Sequence, residues 1–289
     1  MSGIAAASAV ATAPAHWLQA IILGLVQGIT EFLPISSTAH LLIFTKGLGW
    51  SELGEKYFVD AIQFGSVLAV MGYFWGDIRQ ICTGSWAAFQ RRDWQAEDWK
   101  IFLGIAIGMI PALAGGLAIK LFLPDGALET TQIIGFASIL MALLMGTAEN
   151  IGRRSRGFES LEVRDGILVG LGQMLALIPG ASRSGSTLTT ALLLGFERET
   201  AARFSFLLGL PTLAIATLYE FKETVKHPEL VVPLLIGIVS TFIFSYLSIA
   251  WLLNFLKKQS TWVFVWYRLA FGLALILAVF KGLLPNDAA

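Results

Sequence analysis

The chain has 289 residues, 56% of them hydrophobic and only 14% charged, with zero formal net charge and a mean hydropathy of +0.71. That balance excludes a soluble globule and argues against a nucleic-acid partner, and it makes the chain an integral membrane protein. A single cysteine, Cys82, excludes an internal disulfide framework.

Residues 1–16, rich in Ala, Ser and Thr, lack the basic segment of a signal peptide, so they read as a frayed tail with no cleaved leader. Residues 17–45 are apolar, break at Pro34 beside a run of hydroxyls, and resume as a second apolar stretch. This pattern predicts a re-entrant helical hairpin, whose exposed backbone is tolerated only inside protein or against a water-filled cavity. Apolar spans follow at 58–75, 101–122 and 131–149. A second broken stretch occupies 167–195, interrupted at Pro179, and further spans lie at 204–219, 231–256 and 261–280. Each span is near the ~20 residues that a bilayer core requires. The expectation is an all-α integral membrane protein of one domain, 1–289, with six transmembrane helices and two re-entrant hairpins. Tryptophans such as Trp17, Trp75, Trp86, Trp251 and Trp262 read as interfacial anchors.

Placing loops 76–100, 150–166, 196–203 and 257–260 on one side collects twelve of the 20 lysines and arginines, and the opposite side holds six. The positive-inside rule then makes the first set cytoplasmic and the termini external. An internal repeat agrees with this path. Residues 23–37 can be laid on 169–184, matching Gly24 to Gly170, Gln27 to Gln173 and, with one position of slippage, Pro34 to Pro179. The halves are 17–149 and 167–280, each a hairpin followed by three spans. Three crossings reverse the side, which predicts an inverted-topology repeat with the two broken tips meeting near the midplane.

The breaks carry the polar groups. QGITEFLPISSTAH (27–40) and PGASRSGST (179–187) place a carboxylate, a histidine, an arginine and several hydroxyls where lipid would exclude them. Arg183 offers a fixed fork of donors suited to phosphate oxygens, and Ser182, Ser184, Ser186 and Thr187, with Gly180 and Gly185, let donors crowd around one anion. The helix resuming after the break would aim its N-terminal N–H groups at the same point. The alternative is a small-residue motif for close helix packing. Gln27 and Glu31 share a helix face one turn before Pro34. Glu31 is suited to pairing with Arg183, binding a divalent cation or acting as general base; a mere ion-pair staple is the competing reading. Ser36, Ser37 and Thr38 are suited to capping the helix after the proline, but three hydroxyls exceed what one cap requires. His40 is suited to proton donation or to steadying a nucleophilic serine, against the alternative of a structural histidine. Arg268, in the last span, would neutralise a carboxylate or contact a headgroup.

These two motifs resemble the signatures of the bacterial undecaprenyl-diphosphatase family of the bacitracin-resistance type, the first being [EQ]xxxE followed by a proline, paired hydroxyls and a histidine. IQFGSVLAV (62–70) and FSFLLGLP (204–211) also resemble family segments, so the similarity runs from about Trp17 to the C-terminus. The resemblance implies removal of the terminal phosphate from undecaprenyl diphosphate, a membrane lipid, which recycles the carrier for cell-wall glycan synthesis and confers bacitracin resistance. It implies a bacterial cell membrane location with the site open to the external side. By position it carries over Gln27 and Glu31 as the acidic motif, Ser37 and His40 as hydroxyl and imidazole, and Ser182, Arg183 and Thr187 as the phosphate clamp, which Ser36, Thr38 and Ser184 would supplement. A Mg²⁺ or Ca²⁺ ion is implied too. Gln27 stands where many relatives have glutamate, so the ion would lean on Glu31, with Gln27 as second ligand, and on the substrate's phosphates. Ser37 is the candidate nucleophile with His40 or Glu31 assisting, and attack by a water held by Glu31 is the competing route. A second copy of the chain is admitted as a partner. The rival function is a transporter or flippase using the same midplane anion site.

Overall fold

The computed structural model describes residues 2–50, 53, 56–124, 126–224 and 226–286. The ends of the expected 1–289 domain, residue 1 and residues 287–289, lie outside them. The elements, in order, are α1 (Ser2–Phe32), α2 (Ser37–Leu42, continued by a π turn Ile43–Gly47), α3 (Lys56–Ile62), α4 (Phe64–Tyr73), α5 (Trp75–Arg91), α6 (Glu97–Phe122), α7 (Thr131–Ile151), α8 (Val163–Gln173), α9 (Arg183–Leu193), α10 (Arg198–Thr224), α11 (Val231–Leu256) and α12 (Trp262–Phe280). Helices dominate because hydrocarbon offers no partner to backbone N–H and C=O groups, so each segment must satisfy its own.

Among the described residues, five helical segments are long and apolar enough to cross a membrane: Glu97–Phe122, Thr131–Ile151, Arg198–Tyr219, Pro228–Leu256 and Trp262–Phe280. The sixth expected span, 58–75, qualifies only together with the helix after it, and the pair is bent by 68°. Two sequence expectations are corrected here. The segment 76–100, expected as a loop, holds all but the first residue of the 17-residue α5. Its Ile81, Ser85 and Ala88, spaced along one face, are buried where it packs on α6, while Trp86 and Phe89 stay exposed. Mixed charge hides such a helix from a search for apolar runs. The expected frayed tail is instead helical from Ser2, as its run of alanines favours.

Small residues set the helix crossings. Gly24 and Gly28 of α1 lie against Ser240, Thr241 and Ser245 of α11, Gly166 and Gly170 of α8 against Gly104 and Gly108 of α6, and Gly135 of α7 against Gly272 of α12. A Cβ on Gly170 would stand 1.9 Å from the Gly108 carbonyl oxygen, so this contact requires bare backbone. The larger apolar core gathers Phe32, Ile101, Met145, Leu188, Phe206 and Ile249 from six helices.

Ion pairs draw four loops to one end of the bundle. Arg203 holds Asp77 (2.5 Å), Lys100 holds Glu162 (2.9 Å), Lys257 holds Glu199 (3.2 Å) and Arg156 holds Asp165 (2.6 Å). The Asp165 hydrogen bonds push the Arg156 pKa above its ordinary value. Buried Glu149 accepts from Arg154, Arg198 and Thr261. The loops grouped by charge as 76–100, 150–166, 196–203 and 257–260 therefore share one end. Contacts at the other end include Thr131 with Asn286 (backbone, 2.8 Å) and Tyr57 stacked on His227.

Candidate functional site

Pro34 follows the end of α1 at Phe32, and Pro179 follows a 3-10 turn, Met174–Leu177, that continues α8; the residue before a proline is driven out of the helical region. After each proline the chain restarts a helix through a serine with left-handed backbone, Ser36 (φ 76°) before α2 and Ser182 (φ 72°) before α9. Each serine caps its helix by accepting from a backbone N–H three residues on, Ala39 and Gly185 respectively. The carbonyl of each also accepts from the side chain four residues on: His40 Nδ1 reaches Ser36 O at 2.7 Å and Ser186 Oγ reaches Ser182 O at 2.8 Å. Non-glycine residues in this region cost of order 1–3 kcal/mol and persist where their surroundings over-determine them. The two tips are thus built by one device, used twice.

The tips meet. Arg183 Nη2 donates to Glu31 Oε1 at 2.9 Å, and Nη1 to the Gly209 carbonyl at 2.6 Å. The other carboxylate oxygen, Glu31 Oε2, accepts from Gln27 Nε2 (2.9 Å) and from Ser37 Oγ (2.8 Å). Ser184 Oγ contacts the carbonyls of Glu31 (3.0 Å) and Leu33 (3.2 Å), and Ser182 Oγ lies 3.2 Å from Ser184 Oγ. Glu31 is buried, whereas Arg183 keeps part of its side chain accessible and Ser37 is half-buried. A carboxylate receiving a serine hydroxyl, beside a guanidinium and the N-terminus of α9, sets a group able to accept a proton next to groups able to bind an anion.

Gln27, Glu31, Ser37, Ser182, Arg183 and Ser184 therefore converge. The remaining candidates are engaged differently. The Ser36 hydroxyl serves its cap. Thr187 is fully buried and returns its hydroxyl to Arg183 O (2.9 Å) and Ser184 O (3.3 Å) within α9. Thr38 is exposed beside Ser37. His40 turns away from Ser37: Nδ1 engages Ser36 O and Nε2 lies 2.6 Å from the Tyr267 hydroxyl, with the ring stacked on Phe271 at 4.4 Å.

Arg268 corrects both sequence readings made of it. Fully buried, it donates to the carbonyls of Ser138 (3.2 Å), Pro34 (3.0 Å), Gly180 (2.8 Å) and Ala181 (3.1 Å). It fastens both tips to α7 and α12 through backbone oxygens. Pattern reasoning missed this role and that of the Gly209 carbonyl, because backbone acceptors leave no mark in a sequence. Tyr267 had one signal, its place beside Arg268.

Among the described residues no group of three or more His, Cys, Asp or Glu could hold a metal ion. The Gln27 amide oxygen is nevertheless buried, without a hydrogen-bond partner among the described residues, next to the Glu31 carboxylate. Two hard oxygen donors of this kind suit Mg²⁺ or Ca²⁺ where further oxygens complete the shell.

The chain is similar to known proteins over most of its length. Residues 20–274 match the family model described as "Bacitracin resistance protein BacA". The undecaprenyl-diphosphatase of Thermosynechococcus vestitus is 59% identical over 270 residues, covering 93% of this chain and 98% of the relative. That of Nostoc sp. is 51% identical over 276 residues, 93% and 86% of the two chains. The Synechocystis sp. undecaprenyl-diphosphatase is 48% identical over 270 residues, 91% and 82%.

Proposed function

We infer that this chain, which belongs to the bacitracin resistance protein BacA family, is an undecaprenyl-diphosphatase and that its reaction takes place where the two broken tips meet. It is a multi-pass membrane enzyme that converts undecaprenyl diphosphate to undecaprenyl phosphate and inorganic phosphate. The single observation that carries the placement is the pair of contacts on Glu31, one from Ser37 Oγ and one from Arg183 Nη2.

In the mechanism we propose, the distal phosphate enters beside Arg183 and the N-terminus of α9, where a guanidinium and backbone dipoles neutralise its charge. The incoming phosphate competes with Glu31 for Arg183 Nη2, which leaves the carboxylate free to take the Ser37 proton. Ser37 Oγ then bonds to the distal phosphorus while the P–O bond to the lipid phosphate breaks, and undecaprenyl phosphate departs with the electron pair. Glu31 passes that proton to the departing phosphate or to solvent; a water oxygen then bonds to the phosphorus as its proton goes to Glu31, the Ser37 Oγ–P bond breaks, and Glu31 returns the proton to Ser37 Oγ as inorganic phosphate leaves. Most of the rate comes from positioning and electrostatics. A Mg²⁺ or Ca²⁺ ion held by Glu31 and Gln27 would add charge neutralisation at the phosphates. A carrier of the same anion would need the cation and donors but not a hydroxyl set on a carboxylate, and that contact favours hydrolysis over transport.

The finer architecture is also proposed. An inverted repeat of 17–149 and 167–280, each led by a re-entrant hairpin (17–45 and 167–195), is supported by the crossings, since α1 packs on α11 as α8 packs on α6, while α7 and α12 pack on each other. The twinned serines, Ser36 and Ser182, support it again. The lysine and arginine bias supports a cytoplasmic position for the ion-paired end, with the site open to the external leaflet. A homodimer is the assembly to be tested.

Phosphate release from undecaprenyl diphosphate by the purified chain in detergent tests the reading. Release that Ser37→Ala and Arg183→Ala each reduce by about a hundredfold or more is expected; no release by folded wild type, with or without added Mg²⁺ or Ca²⁺, would overturn it.

A further inference from the structure

His40 and Ser186 occupy equivalent places in the two tips, four residues beyond the left-handed serine, and each returns a side-chain hydrogen bond to that serine's carbonyl. In the second tip a plain hydroxyl suffices. An imidazole is therefore more than the tie to Ser36 requires, and what it adds is Nε2. That nitrogen lies 2.6 Å from the hydroxyl of Tyr267. Because the Ser36 carbonyl only accepts, Nδ1 carries a proton, and in the neutral imidazole Nε2 is then the acceptor and Tyr267 the donor.

Tyr267 is 43% exposed on a membrane helix, where phenylalanine would serve as well and an unpaired hydroxyl would be unfavourable. The two rings and Phe271 lie nearly parallel, His40 to Tyr267 at 5.7 Å and 8°, and His40 to Phe271 at 4.4 Å and 4°. The next residue, Arg268, holds Pro34 in the same tip. Adjacent residues of α12 thus grip the first tip on both sides of its left-handed serine, and Ser37, the residue after that serine, points to Glu31.

We propose that Tyr267 is a positioning residue of the phosphatase: its hydroxyl fixes the Nδ1–H tautomer of His40 and, through His40 and the Ser36 carbonyl, holds Ser37 against Glu31. This rests on the assignment of the chemistry to Ser37 and Glu31. It gives His40 an indirect role, since neither ring nitrogen is directed at Ser37.

The test is a double-mutant cycle on the full-length chain in detergent with undecaprenyl diphosphate. Tyr267→Phe, which keeps the ring stack, is expected to lower kcat by roughly tenfold, the worth of one hydrogen bond to an aligned group, with KM changed less than about twofold. In a His40→Ala background the same substitution is expected to change kcat by less than about twofold, because the tyrosine acts only through the imidazole. A second readout needs no turnover. Imidazole ¹⁵N spectra, with the His40 signals identified by their loss in His40→Ala and set apart from those of His16 and His227, are expected to show a protonated Nδ1 and a hydrogen-bonded acceptor Nε2. Tyr267→Phe should remove the shift that this hydrogen bond gives Nε2. Unchanged kcat in Tyr267→Phe, an equal loss in both backgrounds, or a protonated Nε2 would each overturn the proposal while leaving the phosphatase reading intact. No release by wild type would remove the reaction itself and the proposal with it.

Discussion

Arg183 and Glu31, 152 residues apart in sequence, face each other at 2.9 Å across the meeting point of two broken helices. Neither half of the chain contains both groups. In the mechanism proposed above, the carboxylate that would receive the Ser37 proton belongs to the first tip, and the cation that would receive the phosphate belongs to the second. On that reading the contact between them would make substrate binding and base release a single event.

That coupling predicts non-additivity. Glu31→Gln should lower kcat/KM by about 10²–10⁴-fold, the range for a positioned general base. Arg183→Ala should lose about 10²–10³-fold, as removal of a charge-stabilising donor does. The double variant should be little worse than the worse single one, since groups acting as a unit do not add. Steady-state phosphate release measures all three. Full activity in Arg183→Lys would sink the forked-donor argument, because lysine supplies only a point charge.

Ser37 as nucleophile predicts a covalent intermediate. A single turnover with substrate labelled in its distal phosphate, quenched in acid, should leave label on wild-type protein and none on Ser37→Ala. A folded Ser37→Ala that retains most of the activity would transfer the attack to a water held by Glu31.

Arg268 predicts a loss of stability as well as activity. Arg268→Leu would strand buried carbonyls of Pro34, Ser138, Gly180 and Ala181, each costing about 1–3 kcal/mol when unpaired. Arg268→Lys, with three donors on one nitrogen, should melt between wild type and the leucine variant. Thermal unfolding in detergent reads the order, and a leucine variant as stable as wild type would contradict the staple.

Particular residues show what was legible in the sequence. Pro34 and Pro179 broke apolar runs, so both tips were visible, and a lone carboxylate and a lone arginine at the breaks pointed to each other. Loops rich in lysine and arginine predicted a shared end, and the ion pairs of Asp77, Glu149, Asp165 and Glu199 bring them there. What stayed hidden depends on direction and on backbone. Spacing gives the face of His40 but not the rotation that turns Nε2 to Tyr267. The Thr187 hydroxyl had an acceptor within its own helix, and helix α5 buries a stripe too narrow to register as an apolar run.

Gln27 carries the last prediction, on the metal. Its amide donates to Glu31 Oε2 at 2.9 Å, while its own oxygen is buried without a partner among the described residues. Gln27→Glu would replace that hydrogen bond with two carboxylates in contact, an arrangement that is unfavourable until a proton or a cation intervenes. A divalent ion relieves the repulsion and gains a second charged ligand, so it should bind more tightly. Titrating Mg²⁺ or Ca²⁺ into EDTA-treated protein should therefore reach half-maximal phosphate release at a lower concentration in Gln27→Glu than in wild type. In EDTA alone the variant should be slower and melt at a lower temperature, because the like charges are then uncompensated. An unchanged half-saturation in a folded, active variant would place the ion away from position 27 and leave the Gln27 amide with the task of orienting Glu31.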